Sequence, residues 1–298
     1  MTTGFIGLGH MGGAMARRLL AAGYELMVYD LNAAASDALV ALGARKAVSP
    51  REIAAEAQVV FLSLPSIDAT RNVAAQLSGG GRLQVLVETS TVGPAAVREL
   101  VKQMTACKVS VVDAPVSGGP RAAVAGTLSM MHSGSSEAVG IVSDRLSVIA
   151  ARLFDVGTEP GLAQVCKLVN NAISAAGMVA ACEATVVGVK AGLEAGNLLA
   201  AINAGTGRNA ATLDKFPKSI LPGTFDYGGP LGLMIKDLRL FIEESERYGL
   251  VGVMAPATLQ VWLEAVQRSG PDADYSVLIR HLEMDAGVEV RSQAITPT

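Results

Sequence analysis

Two polar residues interrupt an apolar run, Lys167 and Asn171 in Cys166-Lys-Leu-Val-Asn-Asn171. Set four apart, they share one face of a helix. A lysine on such a helix is costly to bury. A partly desolvated amine has a lowered pKa, which suits proton exchange with a hydroxyl near neutral pH. Asn171 can fix a substrate oxygen or orient the amine. Taken alone, Lys167 reads more simply as a side chain that snorkels to water. A second segment, Val112-Asp-Ala-Pro-Val-Ser-Gly-Gly119, follows a strand-like run. The Ser117 hydroxyl and the backbone N–H groups of Gly118 and Gly119 together can bind a carboxylate; the alternative is a plain glycine turn. Pro115 stands two residues before Ser117 and no histidine is suitably placed, which argues against a nucleophile elbow and a serine hydrolase.

The elements that position these groups begin at the N-terminus. Thr3-Gly-Phe-Ile6 reads as a short buried strand, and Met15 to Ala21 has helical spacing. Between them lies Gly7-Leu8-Gly9-His10-Met11-Gly12, a GxGxxG turn. Gly7 permits the tight turn, Gly9 lets backbone approach a pyrophosphate, and Gly12 lets the helix pack on the sheet. The helix N-terminus adds free N–H groups and partial positive charge. Glu25-Leu-Met-Val-Tyr-Asp30 is a second strand ending in the acid that ribose hydroxyls need, with Asn32 placed to share the contact. The bland alternative is that Asp30 caps the next helix. Leu31 to Ser36 carries no positive charge to meet a 2′-phosphate, so NAD is expected over NADP. Beside a dinucleotide site and a carboxylate-binding turn, the catalytic reading of Lys167 prevails.

Further strand-like runs follow at Gln58–Ser63, Leu83–Glu88, Lys108–Asp113, Thr127–Met131 and Arg152–Val156, with helical segments such as Pro50–Ala57 and Pro94–Met104 between most of them. This alternation predicts an α/β fold, a Rossmann-type doubly wound and mainly parallel sheet. From Gly161 the strand-like runs disappear and long helical segments take over, the first over Leu162 to Ala191. The expected organisation is a nucleotide-binding domain over 1–160 and an all-α domain over 161–298. The tail after about Val288 is polar and expected to fray.

Composition narrows the function. Half of the 298 residues are hydrophobic, 17% are charged and the net charge is −3. Without a basic run or interleaved aromatic and basic residues, nucleic acid is not an expected partner. Cys107, Cys166 and Cys182 suggest neither a disulfide framework nor a zinc site. His10, His132 and His281 form no metal site with neighbouring acids, though His10 can touch phosphate. The stretch Ala172 to Cys182 falls well short of the roughly 18 apolar residues of a membrane span. It reads as a buried helix. With a strand opening at about residue 3, no targeting segment is expected and a reduced cytoplasm is the expected location. The first helix of the second domain is rich in Ala, Gly and Ser, and that domain is too apolar to be solvated on all sides. A homodimer or homotetramer joined through residues beyond 160 is expected.

GFIGLGHMG, SLP at Ser63–Pro65, STVGP at Ser90–Pro94, DAPVSGG, KLVNN and IKDL at Ile235–Leu238 occur in this order over nearly the whole chain. In them the sequence resembles the β-hydroxyacid dehydrogenase family of the 3-hydroxyisobutyrate dehydrogenase type, related to 6-phosphogluconate dehydrogenase. The resemblance implies that Lys167 is catalytic and that Ser117 and Gly118 bind the substrate carboxylate with help from Asn171. It implies that Leu64, Pro65, Thr91 and Lys236 line the cofactor, whereas taken alone Lys236 and Asp237 can be read as a solvated helix face. It also implies a helical domain that closes over the nicotinamide and mediates oligomerisation. The expected reaction moves hydride between NAD and a small 3-hydroxy carboxylic acid or its semialdehyde. Rivals are a glyoxylate or succinic semialdehyde reductase of the same family, and a non-catalytic NAD-binding scaffold. Two departures stand out. Gly207-Arg-Asn-Ala-Ala211 lacks the aromatic residue common in relatives, which reshapes the pocket, and Gly161-Leu-Ala163 replaces a Gly-x-Gly turn. Arg208 can meet a second anionic group or serve structurally at a helix start.

Overall fold

The computed structural model describes residues 1–250 and 252–292. They form two compact units, one over Met1–Lys167 and one from Leu168 onward. In the first unit the strands are β1 (Thr3–Ile6), β2 (Leu26–Tyr29), β3 (Arg45–Lys46), β4 (Val59–Leu62), β5 (Val85–Glu88), β6 (Ser110–Asp113), β7 (Val116–Ser117), β8 (Ser129–His132) and β9 (Arg152–Asp155). Between them run α1 (His10–Ala21), α2 (Ala33–Val40), α3 (Pro50–Glu56), α4 (Ile67–Leu77), α5 (Pro94–Thr105), α6 (Gly119–Ala125) and α7 (Ser136–Ile149).

Six strands make one all-parallel sheet in the order β3-β2-β1-β4-β5-β6. Parallel strands covered on both faces read as continuous apolar runs, and alternate side chains feed opposite faces. Phe5, Val59, Phe61, Val85 and Val112 enter a core with α1 and α7. Ile6, Val60, Leu62, Leu86 and Val111 enter a second core with α3, α4 and α5. The strand order reverses beside β1, between β2 and β4, the place where such sheets bind nucleotides.

The expected single sheet is in fact two. β7, β8 and β9 form a separate three-stranded sheet, antiparallel at β7–β8 and parallel at β8–β9. The strand expected over Thr127–Met131 therefore pairs with Val116 and Ser117 of the carboxylate-binding turn. That pairing fixes the turn.

The second unit is helical. The long helix α8 (Leu162–Lys190) begins before its boundary, and α9 (Ala195–Ala204), a π-helical segment (Ala211–Ile220), α10 (Leu231–Arg247), α11 (Met254–Ser269), a 3₁₀ turn (Tyr275–Val277) and α12 (Leu278–Ala286) follow. The division between the units falls inside α8, after Lys167, because the first turns of α8 are tied into the first unit by side chains described below. By length and composition α8 can cross a membrane. However, Ala175, Met178, Cys182 and Val186 on one face are packed into the core of the second unit beside Trp262 and Phe216.

The tail departs from expectation. Val290 is buried, its N–H donates to Glu283 Oε1 at 2.8 Å, and Arg291 pairs with the same carboxylate at 2.6 Å. These bonds hold residues 288–292 on α12 instead of leaving them frayed. The last six residues of the expected frayed tail lie outside the described residues.

Candidate active site

The dinucleotide loop is built as its glycines require. Gly7 has φ +89°, and a Cβ there would stand 2.2 Å from the Ser63 carbonyl oxygen. A Cβ on Gly12 would stand 2.0 Å from the Gly7 oxygen, whereas one on Gly9 would meet nothing within 4 Å. The loop is thus crowded on its protein side at Gly7 and Gly12 and open at Gly9. Gly9 caps α1 without a side-chain bond, and the first turn, with His10 and Met11, holds no acid. His10 is exposed. Unsatisfied N–H groups at this end beside open space fit a diphosphate.

Asp30 does not cap α2. Its Oδ2 accepts the Leu8 N–H at 2.6 Å and its Oδ1 accepts the Asn32 N–H at 2.7 Å. It braces the glycine loop against the end of β2, while each oxygen keeps lone pairs for a ribose. Asn32 is the cap, its Oδ1 accepting from Ala34 N–H at 3.1 Å.

Leu64 and Pro65 leave β4 next to the glycine loop, and the Leu64 N–H donates to Ser90 Oγ at 2.7 Å. Ser90 is held in turn by Glu88, whose Oε1 accepts the Ser90 N–H at 2.8 Å and whose Oε2 accepts from Thr70 at 3.2 Å. Burial pushes the Glu88 carboxyl up to about 7 against the bonds from Ser90 and Thr70. Thr91 is half-buried in the same loop.

Gln164 joins this loop to the start of α8. Its Oε1 accepts the N–H groups of Val92 at 3.0 Å and Gly93 at 2.9 Å, and its Nε2 donates to the Ser90 carbonyl at 3.0 Å and to Asp113 Oδ1 at 2.7 Å. Asp113, fully buried at the end of β6, also accepts the N–H groups of Gly161 and Gln164, each at 3.0 Å. Burial lifts its carboxyl to about 6, opposed first by the bonds from Gln164. The Ala163 N–H donates to Ser133 Oγ at 3.1 Å, so the chain's Gly161-Leu-Ala163 turn is made with backbone bonds that an alanine accommodates. One turn beyond Gln164 stands Lys167, 8% exposed and therefore buried rather than snorkelling. Ser117 is half-buried at the end of β7, and Gly118 and Gly119, with φ +129° and +71°, are exposed with their N–H groups at the start of α6.

In the second unit Asn171 has both amide atoms engaged. Its Nδ2 donates to Asp237 Oδ2 at 2.6 Å and its Oδ1 accepts from Asn170 at 3.0 Å. Asp237 is 4% exposed, and its Oδ1 lies 3.2 Å from Lys236 Nζ. The Lys236–Asp237 pair on α10 is thus not a solvated face; Asp237 is the anchor of Asn171. Four residues that position the site, Glu88, Asp113, Gln164 and Asp237, carried no role in the sequence reading. A signal was present in three: Glu88 and Asp113 are acids ending buried parallel strands, and Gln164 falls on the Lys167 face of α8.

Residues 2–157 match the NAD binding domain of 6-phosphogluconate dehydrogenase, and residues 161–282 match the NAD-binding domain of NADP-dependent 3-hydroxyisobutyrate dehydrogenase. The 2-(hydroxymethyl)glutarate dehydrogenase of Eubacterium barkeri is 33% identical over 96% of each chain. The chain belongs to the β-hydroxyacid dehydrogenase family. The NAD-dependent L-serine dehydrogenase of Pseudomonas aeruginosa is 34% identical over 92% of this chain and 95% of its own. The structure of Mycobacterium tuberculosis 3-hydroxyisobutyrate dehydrogenase with L-serine superimposes with a TM-score of 0.87, at 28% identity over 94% of this chain and 98% of that one. The protein is an NAD(P)-binding oxidoreductase of small hydroxy acids.

Proposed function

We propose that the enzyme oxidises a small 3-hydroxy carboxylic acid to its semialdehyde, or runs the reverse reduction, with NAD preferred over NADP. The observation that carries this reading is the buried Lys167 one turn before Asn171, whose amide is fixed by Asp237. Ser117 and the N–H groups of Gly118 and Gly119 bind the carboxylate. Asn171 holds the hydroxyl oxygen, and Lys167 takes the hydroxyl proton. NAD, when bound, supplies the hydride acceptor. Gly7, Leu8, Gly9, His10, Met11 and Gly12 receive the diphosphate, Asp30 and Asn32 the ribose, and Leu64, Pro65, Thr91 and Lys236 the nicotinamide half.

NAD is favoured because the Asp30 carboxylate ends β2 and Leu31, almost fully exposed, stands where a cation would meet a 2′-phosphate. The relatives are named for acids that differ in size and charge, so the substrate class rather than one acid is assigned. A homodimer or homotetramer is supported by the apolar outer face of α8, where Ile173 is 69% and Val187 68% exposed. The cytoplasm is the compartment in which such a cofactor and three free thiols are at home.

The test is a screen of small hydroxy acids and semialdehydes, following NADH absorbance with each cofactor. The reading requires turnover of a 3-hydroxy acid and a higher kcat/KM with NAD. Oxidation of uncharged alcohols as readily as hydroxy acids, or preference for NADP, would contradict it.

A further inference from the structure

Lys215 is the least expected residue of the second unit. It lies in the π-helical segment Ala211–Ile220, is 6% exposed, and places Nζ 3.4 Å from Ser174 Oγ. The rings of Tyr227 and Tyr275 each stand 5.8 Å from the amine. Among the described residues no carboxylate comes within ion-pairing distance of it. Asp214, next in sequence, directs one oxygen to Lys218 at 2.5 Å and the other to the Tyr227 hydroxyl. Burial accordingly holds the Lys215 amine below its ordinary range, only partly offset by the charge of Asp214. A buried ammonium without a paired anion is an expensive feature, and an arriving anion repays it.

The position of Ser174 says where that anion comes from. On α8 it stands seven residues after Lys167 and three after Asn171, so the three side chains follow one another along one face of the helix. The segment carrying Lys215 is docked on that helix a turn farther on, where Asn209 Nδ2 reaches the Gly177 carbonyl at 3.5 Å. Asn209 Oδ1 also accepts the Ala211 N–H at 2.8 Å, tying the chain just before the segment to its first residue. The segment begins where the chain departs from the aromatic pattern of its relatives, at Ala210 and Ala211, and Lys215 lies about one turn beyond. Arg208, by contrast, is exposed.

We infer that Lys215 and Ser174 form a distal subsite for a second anionic group on the substrate, so that the enzyme selects hydroxy diacids over hydroxy monoacids. The inference rests on the dehydrogenase reading above. Three residues of helix separate Asn171 from Ser174, a rise of about 4.5 Å. This matches about four carbon–carbon bonds between the reacting carbon and the distal anion.

The experiment compares 2-(hydroxymethyl)glutarate with 3-hydroxyisobutyrate as substrates, and glutarate with butyrate as ligands of the enzyme–NADH complex by calorimetry. A hydrogen-bonded charge predicts that the diacid is favoured in kcat/KM by at least about tenfold, and that Lys215→Met lowers the diacid-to-monoacid ratio by about 10–100-fold. Lys215→Arg, which keeps the charge, should retain most of the preference. A wild-type enzyme that uses the monoacid as well as the diacid, or a Lys215→Met variant that loses both in proportion, overturns the subsite and leaves the dehydrogenase reading intact. If neither acid is oxidised, the dehydrogenase reading is decided by the wider screen of hydroxy acids and binding decides the subsite. Glutarate held at least about tenfold more tightly than butyrate by wild type, with the difference lost in Lys215→Met, upholds it; equal binding removes it. Should Lys215→Met fail to fold, the wild-type preference and Ser174→Val, expected to lower the same ratio, remain decisive.

Discussion

Replacing Gln164 by leucine tests how the lysine helix is anchored. The two side chains are similar in size and Gln164 is fully buried, so the change removes hydrogen bonds without opening a large void. The Val92 and Gly93 N–H groups lose their shared acceptor, the Ser90 carbonyl loses a donor, and Asp113 Oδ1 loses a bond of 2.7 Å. Each buried N–H left unmade costs about 1–3 kcal/mol, and a bond to a carboxylate contributes about 1.5–3 kcal/mol. The low ends of these ranges together give about 3.5 kcal/mol, a large fraction of the stability of an ordinary domain. Denaturant unfolding followed by circular dichroism should show a loss of that size, and kcat should fall because Lys167 stands one turn farther along α8. Gln164→Glu sharpens the test. It keeps an acceptor for Val92 and Gly93 but sets a carboxylate against Asp113, so its deficit should shrink as pH falls and a proton is shared. A Gln164→Leu variant within about 1 kcal/mol of wild type, or a Gln164→Glu deficit independent of pH, would refute the anchoring role.

Asn171→Ala and Asp237→Ala should each lower kcat/KM by about 10–100-fold, with the double variant little worse than either, because Asp237 acts through Asn171; additive losses in a double-mutant cycle would separate them. Glu88 is raised by burial to about 7. Its protonated form therefore contributes stability at low pH that is lost as pH rises through 7. Thermal unfolding should show Glu88→Gln gaining on wild type by on the order of 3 kcal/mol between about pH 5 and about pH 8, and a constant difference would show that Glu88 does not titrate there. Light scattering at micromolar concentration should find a dimer or tetramer rather than the 30.6 kDa chain, and Ile173→Glu on the exposed face of α8 should shift it toward monomer.

Much of this site was legible because it rests on local pattern. The strands β2, β4 and β5 are apolar at nearly every position, and Gly7 and Gly12 are glycines because any Cβ would strike backbone. The spacing of Lys167 and Asn171 on one helix needs no tertiary knowledge. What was missed depends on distant partners. β3 and β7 have two residues each, too few to show a period, and β7 exists only because it pairs with β8. Gln164 meets Asp113 across 51 positions and Asn171 meets Asp237 across 66, and no local signal joins them. Lys215 carried no role in the sequence, and its partner Ser174 stands 41 positions away on another helix. The ordered Val290 and Arg291 have a nearer partner, Glu283 on α12 seven and eight residues back, but the polar composition of the tail concealed it.

The central claim is that Lys167 exchanges the proton of the substrate hydroxyl. Its most direct test is steady-state turnover of Lys167→Ala on the best acid from the substrate screen, with NADH binding measured in parallel by fluorescence. General acid–base catalysis contributes about 10²–10⁴ in rate, so kcat should fall by that factor while cofactor affinity stays near that of wild type. A variant that binds NADH normally and still turns over at close to the wild-type rate would contradict the account.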